Sequence, residues 1–455
     1  MPRGHWLRIG LEVFLLLFLS VACGTAEWAL PRYSSAIPLP APGPQATPAP
    51  PWPLTVPTPA VPWGGLPPFV QPTPTPTAGP PTPRPTATPL PTPTPFIPLE
   101  ALRKTPTPPT VVMGHGIQLP PGFRVNAYAH GLDSVSHLAY SPDGVLFASL
   151  PRHGAVVALP DADGQGEADS LSVFAQGLAS PSGLAFHGDG LYVAEAHQVV
   201  RFPYQPGQLT APGPPQVVVP GLPVGSGHLN HAIGFGPDGR LYVAVGSSCN
   251  ACREVDYRRA KMMRYNADGG QEEVFAQGLR DVESFLWYPG SLQMLATNCN
   301  RRYMGEDLPP DTIEMIVQGA NYGWPFCHAG DIPDPELGWP DACEGVQPPF
   351  LQLPAHSTPR SMVVYAAGQF PPEYHGDIFV ALYGSWERQV PAGYKIVRLD
   401  VAEGRVQAIE DFASGWVVHA QPWGHPTGLA VAPDGSLMVS DERAGAVLRI
   451  TYNEE

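Results

Sequence analysis

The chain has 455 residues, enough for two or three domains, but 29 of its 61 prolines fall between residues 31 and 110, so foldable sequence is not spread evenly. Its formal net charge of −15 argues against nucleic acid and against broad adhesion to anionic lipid. A small neutral or cationic partner suits it better.

The N-terminus, MPRGHWLRIGLEVFLLLFLSVACGTAEW, carries Arg3 and Arg8 ahead of an apolar run centred on residues 13–19. That run is short for a membrane span and reads as a signal peptide over residues 1–23, which implies export. Its end, Ser20-Val21-Ala22-Cys23, is similar to a bacterial lipobox, so Cys23 is expected to be lipidated after cleavage. Ordinary cleavage after Ala22 is the alternative. The expected location is the cell surface or the outer face of the cell membrane, with membrane contact through the lipid anchor. Residues 24–114 form a Pro/Thr-rich linker that has too little apolar area to offset the entropy of ordering. In polyproline II geometry this spacer reaches on the order of 100–200 Å.

From residue 115 to 455 the chain repeats itself. HLAYSPDGVLFASL, GLAFHGDGLYVAE, AIGFGPDGRLYVAVG, SFLWYPGSLQMLAT, MVVYAAGQFPPEYHGDIFVALYG and GLAVAPDGSLMVSDE each read as strand, tight turn, strand. A third strand follows each: GAVVALP, HQVVRFPY, AKMMRYN, DTIEMIV, YKIVRLD and GAVLRIT. A single sheet of this size buries too little to stand alone, and radial packing solves both burial and exposed edges. The expected fold is therefore all-β, a six-bladed β-propeller, with FRVNAYAHGL supplying the strand that closes the ring. Asp143, Asp189, Asp238 and Asp434 are then turn formers.

Subtracting the repeat leaves a surplus. His228 and His231 precede the first strand of unit three, and Arg280 lies at the matching place in unit four, GLRDVESFLW. A base beside a fixed cation suits oxidation of an alcohol, with the base taking the hydroxyl proton.

GHLNHAIGFGPDGRLYVAVGSSCNAC, RRAKMMRYNADG, GLRDV, LPPDTIEMIVQGANYGWPFC, AHSTPR and YGSWERQVPAGYKIVRLD resemble the soluble pyrroloquinoline quinone (PQQ)-dependent glucose and sorbosone dehydrogenases. The resemblance implies a PQQ-dependent enzyme acting on a sugar or polyol-like aldose, with an electron acceptor that the sequence does not name. It makes His228, eight residues before Gly236, the general base, and Arg280 the cation beside the quinone. It implies calcium held with PQQ by backbone carbonyls near Asn300 and Arg301. The cofactor carries the redox chemistry in such enzymes while the protein orients and polarises. Several cofactor positions depart from the family: Asp281 replaces Asn, His231 and His425 replace arginines, TNCNRR replaces a TDNGRD-like loop, and YGSWER replaces HGSWNR. Neutral histidine replaces an arginine fork poorly, so weaker PQQ binding is expected. Arg388 is a compensating cation, and Lys395 is expected on a solvated strand face.

Among the cysteines, Cys327 and Cys343 bracket a proline-rich loop and are expected to pair, as exported chains favour disulfides. Cys249 and Cys252 read as a local disulfide, with a redox CxxC or a zinc site as alternatives. Asp161, Asp163 and Asp169 partly resemble an EF-hand-type calcium loop, which would have a glutamate where Ser172 stands. Trp324 is expected beneath the NYGWP loop; Trp386 and Trp423 could stack on a sugar. Two other readings stay open. One is a lactonase-type hydrolase drawing on Glu195, Asp256 and Glu283. The other is a degenerate propeller that binds a glycan or protein without turnover.

Overall fold

The computed structural model of the chain describes residues 116–453, Glu403 excepted. The signal segment, Cys23 and the linker lie outside the described residues. Six four-stranded antiparallel sheets follow one another. Blade one comprises Leu138–Tyr140, Leu146–Leu150, Ala155–Leu159 and Ser172–Gln176, from first to fourth strand. Blade two is Leu184–His187, Gly190–Glu195, Gln198–Pro203 and Gln216–Val219; blade three is Ile233–Phe235, Leu241–Val245, Lys261–Tyr265 and Glu273–Gln277. Blade four is Phe285–Trp287, Met294–Asn298, Asp311–Ile316 and Leu351–Leu353; blade five is Pro359–Val364, Ile378–Leu382, Lys395–Ala402 and Arg405–Ala413. Blade six takes Pro426–Val431, Leu437–Asp441 and Ala446–Tyr452, and Phe123–His130 from the start of the propeller completes it. The closing register runs from Phe123 opposite Tyr452 to His130 opposite Ala446.

The second strand of every blade is buried at every residue. Both its faces are covered by neighbouring blades, so it reads as a continuous apolar run rather than an alternating one. The cores lie between blades. Phe147 and Val156 of blade one pack with Leu191 and Phe202 of blade two, and Phe379 and Ile396 of blade five pack with Val439, Leu448 and Phe123 of blade six. The Asp-Gly turns depend on backbone that glycine tolerates best: Gly144 and Gly435 have φ of 87° and 89°. Blades one to five each also have a fourth strand that the repeat did not reveal, whereas that of blade six is the expected closing strand. No helix among the described residues is long and apolar enough to cross a membrane.

Antiparallel order fixes the two faces. Loops between blades, and loops between second and third strands, emerge on one face; the Asp-Gly hairpins and the third-to-fourth connections emerge on the other. His228, Arg280, Asn300, Arg388 and His425 all belong to the first face.

Candidate active site

Unit three places His228 on the loop before its first strand, on the same face as Arg280. Its Nδ1 lies 3.1 Å from Ser247 Oγ and 3.2 Å from the Ser247 carbonyl. Ser247 Oγ donates to the Cys249 carbonyl at 2.8 Å, so it accepts from Nδ1–H, and Nε2 is left as a bare lone pair. Burial first, and then Arg280, push the imidazole down to about 3, so the ring is neutral at ordinary pH. Nε2 lies 3.3 Å from Asp281 Oδ2. Gly246 permits this approach: a Cβ there would come within 2.6 Å of His228 Cβ and 3.3 Å of Asp281 Oδ1.

Arg280 is buried, 3% exposed. Its Nε donates to the Asn250 carbonyl at 3.0 Å, Nη2 to Asn250 Oδ1 at 3.1 Å and Nη1 to the Cys299 carbonyl at 3.0 Å. Asp281 follows it in the chain, and burial outweighs the neighbouring Arg280, Arg360 and Arg302 to push its carboxyl up to about 6.

Two further clusters share this face. Arg302 donates to both oxygens of Glu387, at 2.9 and 3.1 Å, and lies 3.5 Å from the ring centroid of Trp386, which is 59% exposed. His356 Nδ1 reaches the same glutamate at 3.1 Å. His356 and Thr358 have φ of 63° and 55°, strained backbone held by Asp311, whose Oδ2 accepts from Thr358 N–H at 2.8 Å. Nearer the axis, Arg360 pairs with Glu283 at 2.7 Å, and His137 Nε2 lies 3.3 Å from the Glu283 carbonyl. Glu283 Oε2 and Arg360 Nε are buried without a hydrogen-bond partner. Arg302 and Arg360 were missed as site residues, although TNCNRR and AHSTPR contain them; Arg360 is the second residue of its blade's first strand, level with Glu283 of the neighbouring blade.

Other sequence-derived residues fall elsewhere. His231 is fully buried, its ring between the carbonyls of Ala244 at 3.0 Å and Ala196 at 3.3 Å. It ties blade two to blade three and does not face the funnel, a correction to its expected cofactor role. His425 stacks on Tyr383 with centroids 4.2 Å apart and faces the Tyr383 carbonyl through Nδ1 at 3.1 Å. Burial lowers its pKa, so it supplies no fixed charge in place of arginine. Arg388 binds Asp307 Oδ1 at 3.0 Å and the carbonyl of Val390 at 3.2 Å, so its charge is engaged in clamping loops. Lys395 pairs with Asp411 on an exposed strand face, as expected.

Asn300 is buried, with its N–H on Asp311 Oδ1 at 2.9 Å. The Arg301 guanidinium pairs with Asp334 and Glu336. Asp161, Asp163 and Asp169 do cluster, their ligand atoms within 4.8 Å of one another, but between the third and fourth strands of blade one, on the face opposite His228. Each already accepts a loop N–H: from Gly166 at 3.0 Å, Gln165 at 3.0 Å and Ala162 at 2.6 Å respectively. Cys249–Cys252 and Cys327–Cys343 are disulfides, and Cys299 is free and buried. The sulfurs of the Cys249, Cys252 and Glu254 group are therefore consumed, which removes the zinc reading. The carboxylates drafted for a hydrolase do not converge: Glu195 accepts from the Ala179 N–H at 2.6 Å, Asp256 pairs with Arg258 at 2.8 Å and Glu283 with Arg360 at 2.7 Å. Trp324 is buried as expected, with Nε1 on the Asn250 carbonyl at 3.3 Å.

A family model described as "Glucose / Sorbosone dehydrogenase" matches residues 216–414. A second, described as a domain of unknown function, matches residues 125–282. A curated relative, an uncharacterized protein of Borreliella burgdorferi, is 27% identical over 223 residues, 47% of this chain and 58% of that protein. The chain thus spans somewhat more than half the length of the curated relative it matches.

Among solved structures, the holo form of the PQQ domain of pyranose dehydrogenase from Coprinopsis cinerea superposes with a TM-score of 0.63 at 20% identity, covering 74% of this chain and 97% of that one. The calcium structure of the Trichoderma reesei family AA12 carbohydrate-active enzyme gives 0.65 at 18%, with 74% and 97% covered. The PQQ-bound aldose sugar dehydrogenase of Streptomyces coelicolor gives 0.53 at 20%, with 74% and 100% covered. At these identities the likeness establishes the architecture. Over residues 216–414 the chain carries the pattern of the glucose/sorbosone dehydrogenase family, on the six-bladed propeller of its solved neighbours.

Proposed function

We propose that the chain is a dehydrogenase that oxidises an alcohol carbon of a sugar or aldose-like substrate at the funnel, with His228 as base and Arg280 as the fixed cation. The observation that carries this reading is the unprotonated Nε2 of His228, which faces Asp281 Oδ2 at 3.3 Å on a ring kept neutral at ordinary pH by burial and by Arg280. Nδ1–H is anchored on Ser247, so the ring cannot turn away when Nε2 takes the hydroxyl proton. The Asp281 carboxylate, 3.3 Å from Nε2, stabilises the imidazolium that forms. Once the hydroxyl is deprotonated, the carbon is activated to lose hydride.

PQQ fits one part of this chemistry. Arg280 forms no ion pair among the described residues, and its three bonded donors meet only carbonyl and amide oxygens. A buried guanidinium that forms no direct ion pair is suited to a carboxylate or quinone oxygen, and two of its N–H groups remain for one. When bound, the quinone supplies the two-electron acceptor. Calcium beside it would draw on main-chain oxygens of the Asn300–Arg301 loop. Against a tri-carboxylate, Arg302 and Arg360 are already paired with Glu387 and Glu283. This last observation favours the second reading, a propeller that binds a neutral glycan without turnover.

The deciding experiment is to add PQQ and calcium to the purified protein and record the quinone's absorbance and reduction of an artificial acceptor with an aldose. Turnover that His228→Ala lowers by about 10²–10⁴-fold supports the dehydrogenase. If neither the wild type nor the Asp281→Asn/His425→Arg variant binds the quinone, the glycan-binding reading replaces it. We also propose that the protein is exported and tethered through Cys23, on the strength of the N-terminal sequence; radiolabelled palmitate that Cys23→Ala still incorporates would refute the tether.

A further inference from the structure

We infer that the Cys249–Cys252 disulfide and the Asn250 it brackets are a positioning clamp for His228 and Arg280, so that reducing this disulfide loosens the site. The inference rests on the reading of His228 and Arg280 as the substrate-facing pair.

Asn250 spends all its side-chain hydrogen-bonding atoms, and its carbonyl, on the site. The carbonyl accepts from Arg280 Nε at 3.0 Å and Trp324 Nε1 at 3.3 Å. Oδ1 accepts from Arg280 Nη2 at 3.1 Å and Arg302 N–H at 2.8 Å, while Nδ2 donates to the Arg302 carbonyl at 2.9 Å. Two of the three acceptors of Arg280 thus come from this one residue. Asparagine is required, since aspartate lacks the Nδ2 donor and alanine lacks both side-chain groups. On the other flank the Cys249 carbonyl accepts from Ser247 Oγ at 2.8 Å, and that hydroxyl fixes the tautomer of His228. The base and the cation therefore lean on adjacent residues of one loop.

That loop has no ladder of its own. Residues 246–260 connect Leu241–Val245 to Lys261–Tyr265 without any strand, and the disulfide, with a sequence separation of 3, closes it where Asn250 projects. Both its cysteines are partly exposed, whereas in the second disulfide only Cys343 is and Cys327 is buried at 0%; the free Cys299 is buried at 1%. A soluble dithiol therefore reaches Cys249–Cys252 more readily. The exchange transfers two electrons and two protons: the S–S bond becomes two thiols, and the dithiol becomes its own cyclic disulfide.

The test uses the full chain without cofactor, labelled with 15N-arginine, and follows solvent exchange of the Arg280 Nε–H resonance, assigned by its loss in Arg280→Lys. The clamp predicts an exchange faster by about tenfold for each hydrogen bond lost, in Cys249→Ser/Cys252→Ser and in wild type treated with dithiothreitol. Asn250→Ala, which keeps the disulfide and the main-chain acceptor of Nε–H, gives a smaller increase, and dithiothreitol-treated wild type decides the matter if the double variant does not fold. With PQQ and calcium present, the same variants should lose kcat by about 10- to 100-fold with KM little changed, since misplacement of a positioned group acts on the chemical step. Equal protection of Arg280 Nε–H in all these forms would overturn the inference. Absence of turnover in the wild type would instead count against the dehydrogenase reading, and the exchange measurement would still decide the clamp.

Discussion

Asp281→Asn should make the protein more stable at neutral pH, although it removes a charge beside three arginines. The Asp281 carboxyl is pushed up to about 6 from 3.8, with burial as the dominant cause and Arg280, Arg360 and Arg302 only partly offsetting it. A carboxyl whose pKa rises on folding binds its proton more tightly in the folded state. The stability this confers is fully present below about pH 4 and is lost as the pH rises through 6. The interval between the two values is worth about 3 kcal/mol at roughly 1.4 kcal/mol for each factor of ten. Asparagine matches the protonated side chain in shape and never ionises. Urea unfolding followed by tryptophan fluorescence should therefore show the variant more stable by up to about 3 kcal/mol near pH 7.5, with the difference shrinking toward zero near pH 4. A variant less stable than wild type near pH 7.5 would refute the reasoning, since the carboxylate would then be a net favourable counter-charge to Arg280.

Glu283→Gln should destabilise the fold by about 1–3 kcal/mol in the same assay, because it leaves half-buried Arg360 with the more distant Glu442, 3.6 Å away, as its carboxylate partner. Replacing Cys327 and Cys343 with serine should cost about 3 kcal/mol by release of a loop of this size, read as a lower urea midpoint. A chain beginning at residue 113 should melt with the full-length protein in calorimetry, because the linker composition offers nothing to bury; a lower melting temperature would move the domain boundary.

The six units were legible because each advertises a hairpin turn between apolar runs, and the closing strand because FRVNAYAHGL stands outside the repeat. The fourth strands were not. They are outer strands with one wet side, such as Gln216–Val219, in which Val217 is 48% exposed, or fragments such as Leu351–Leu353 that arrive after a long excursion. Position within the repeat put His228 and Arg280 on loops of one face, as the structure has them. The same logic failed for His231, three residues nearer the strand, where the side chain is already drawn into the packing between blades. The pairing of Arg302 with Glu387 and of Arg360 with Glu283 joins residues 85 and 77 positions apart, and nothing local in the sequence announces such partners. Asn250 was equally silent, since its role consists of contacts with three other loops.

The strand that closes the ring imposes an order on the life of the chain. Phe123 must wait for Tyr452, more than three hundred residues later, before blade six has its outer edge. Until then Phe123 is missing from the core it shares with Phe370, Phe412 and Leu448. Closure of so long a loop carries its entropic cost up front, so the last seam forms late and any shortened product keeps an open, sticky edge. A chain that lacks its final strand is thus expected to behave as a substrate for chaperones and proteases, not as a weakened propeller.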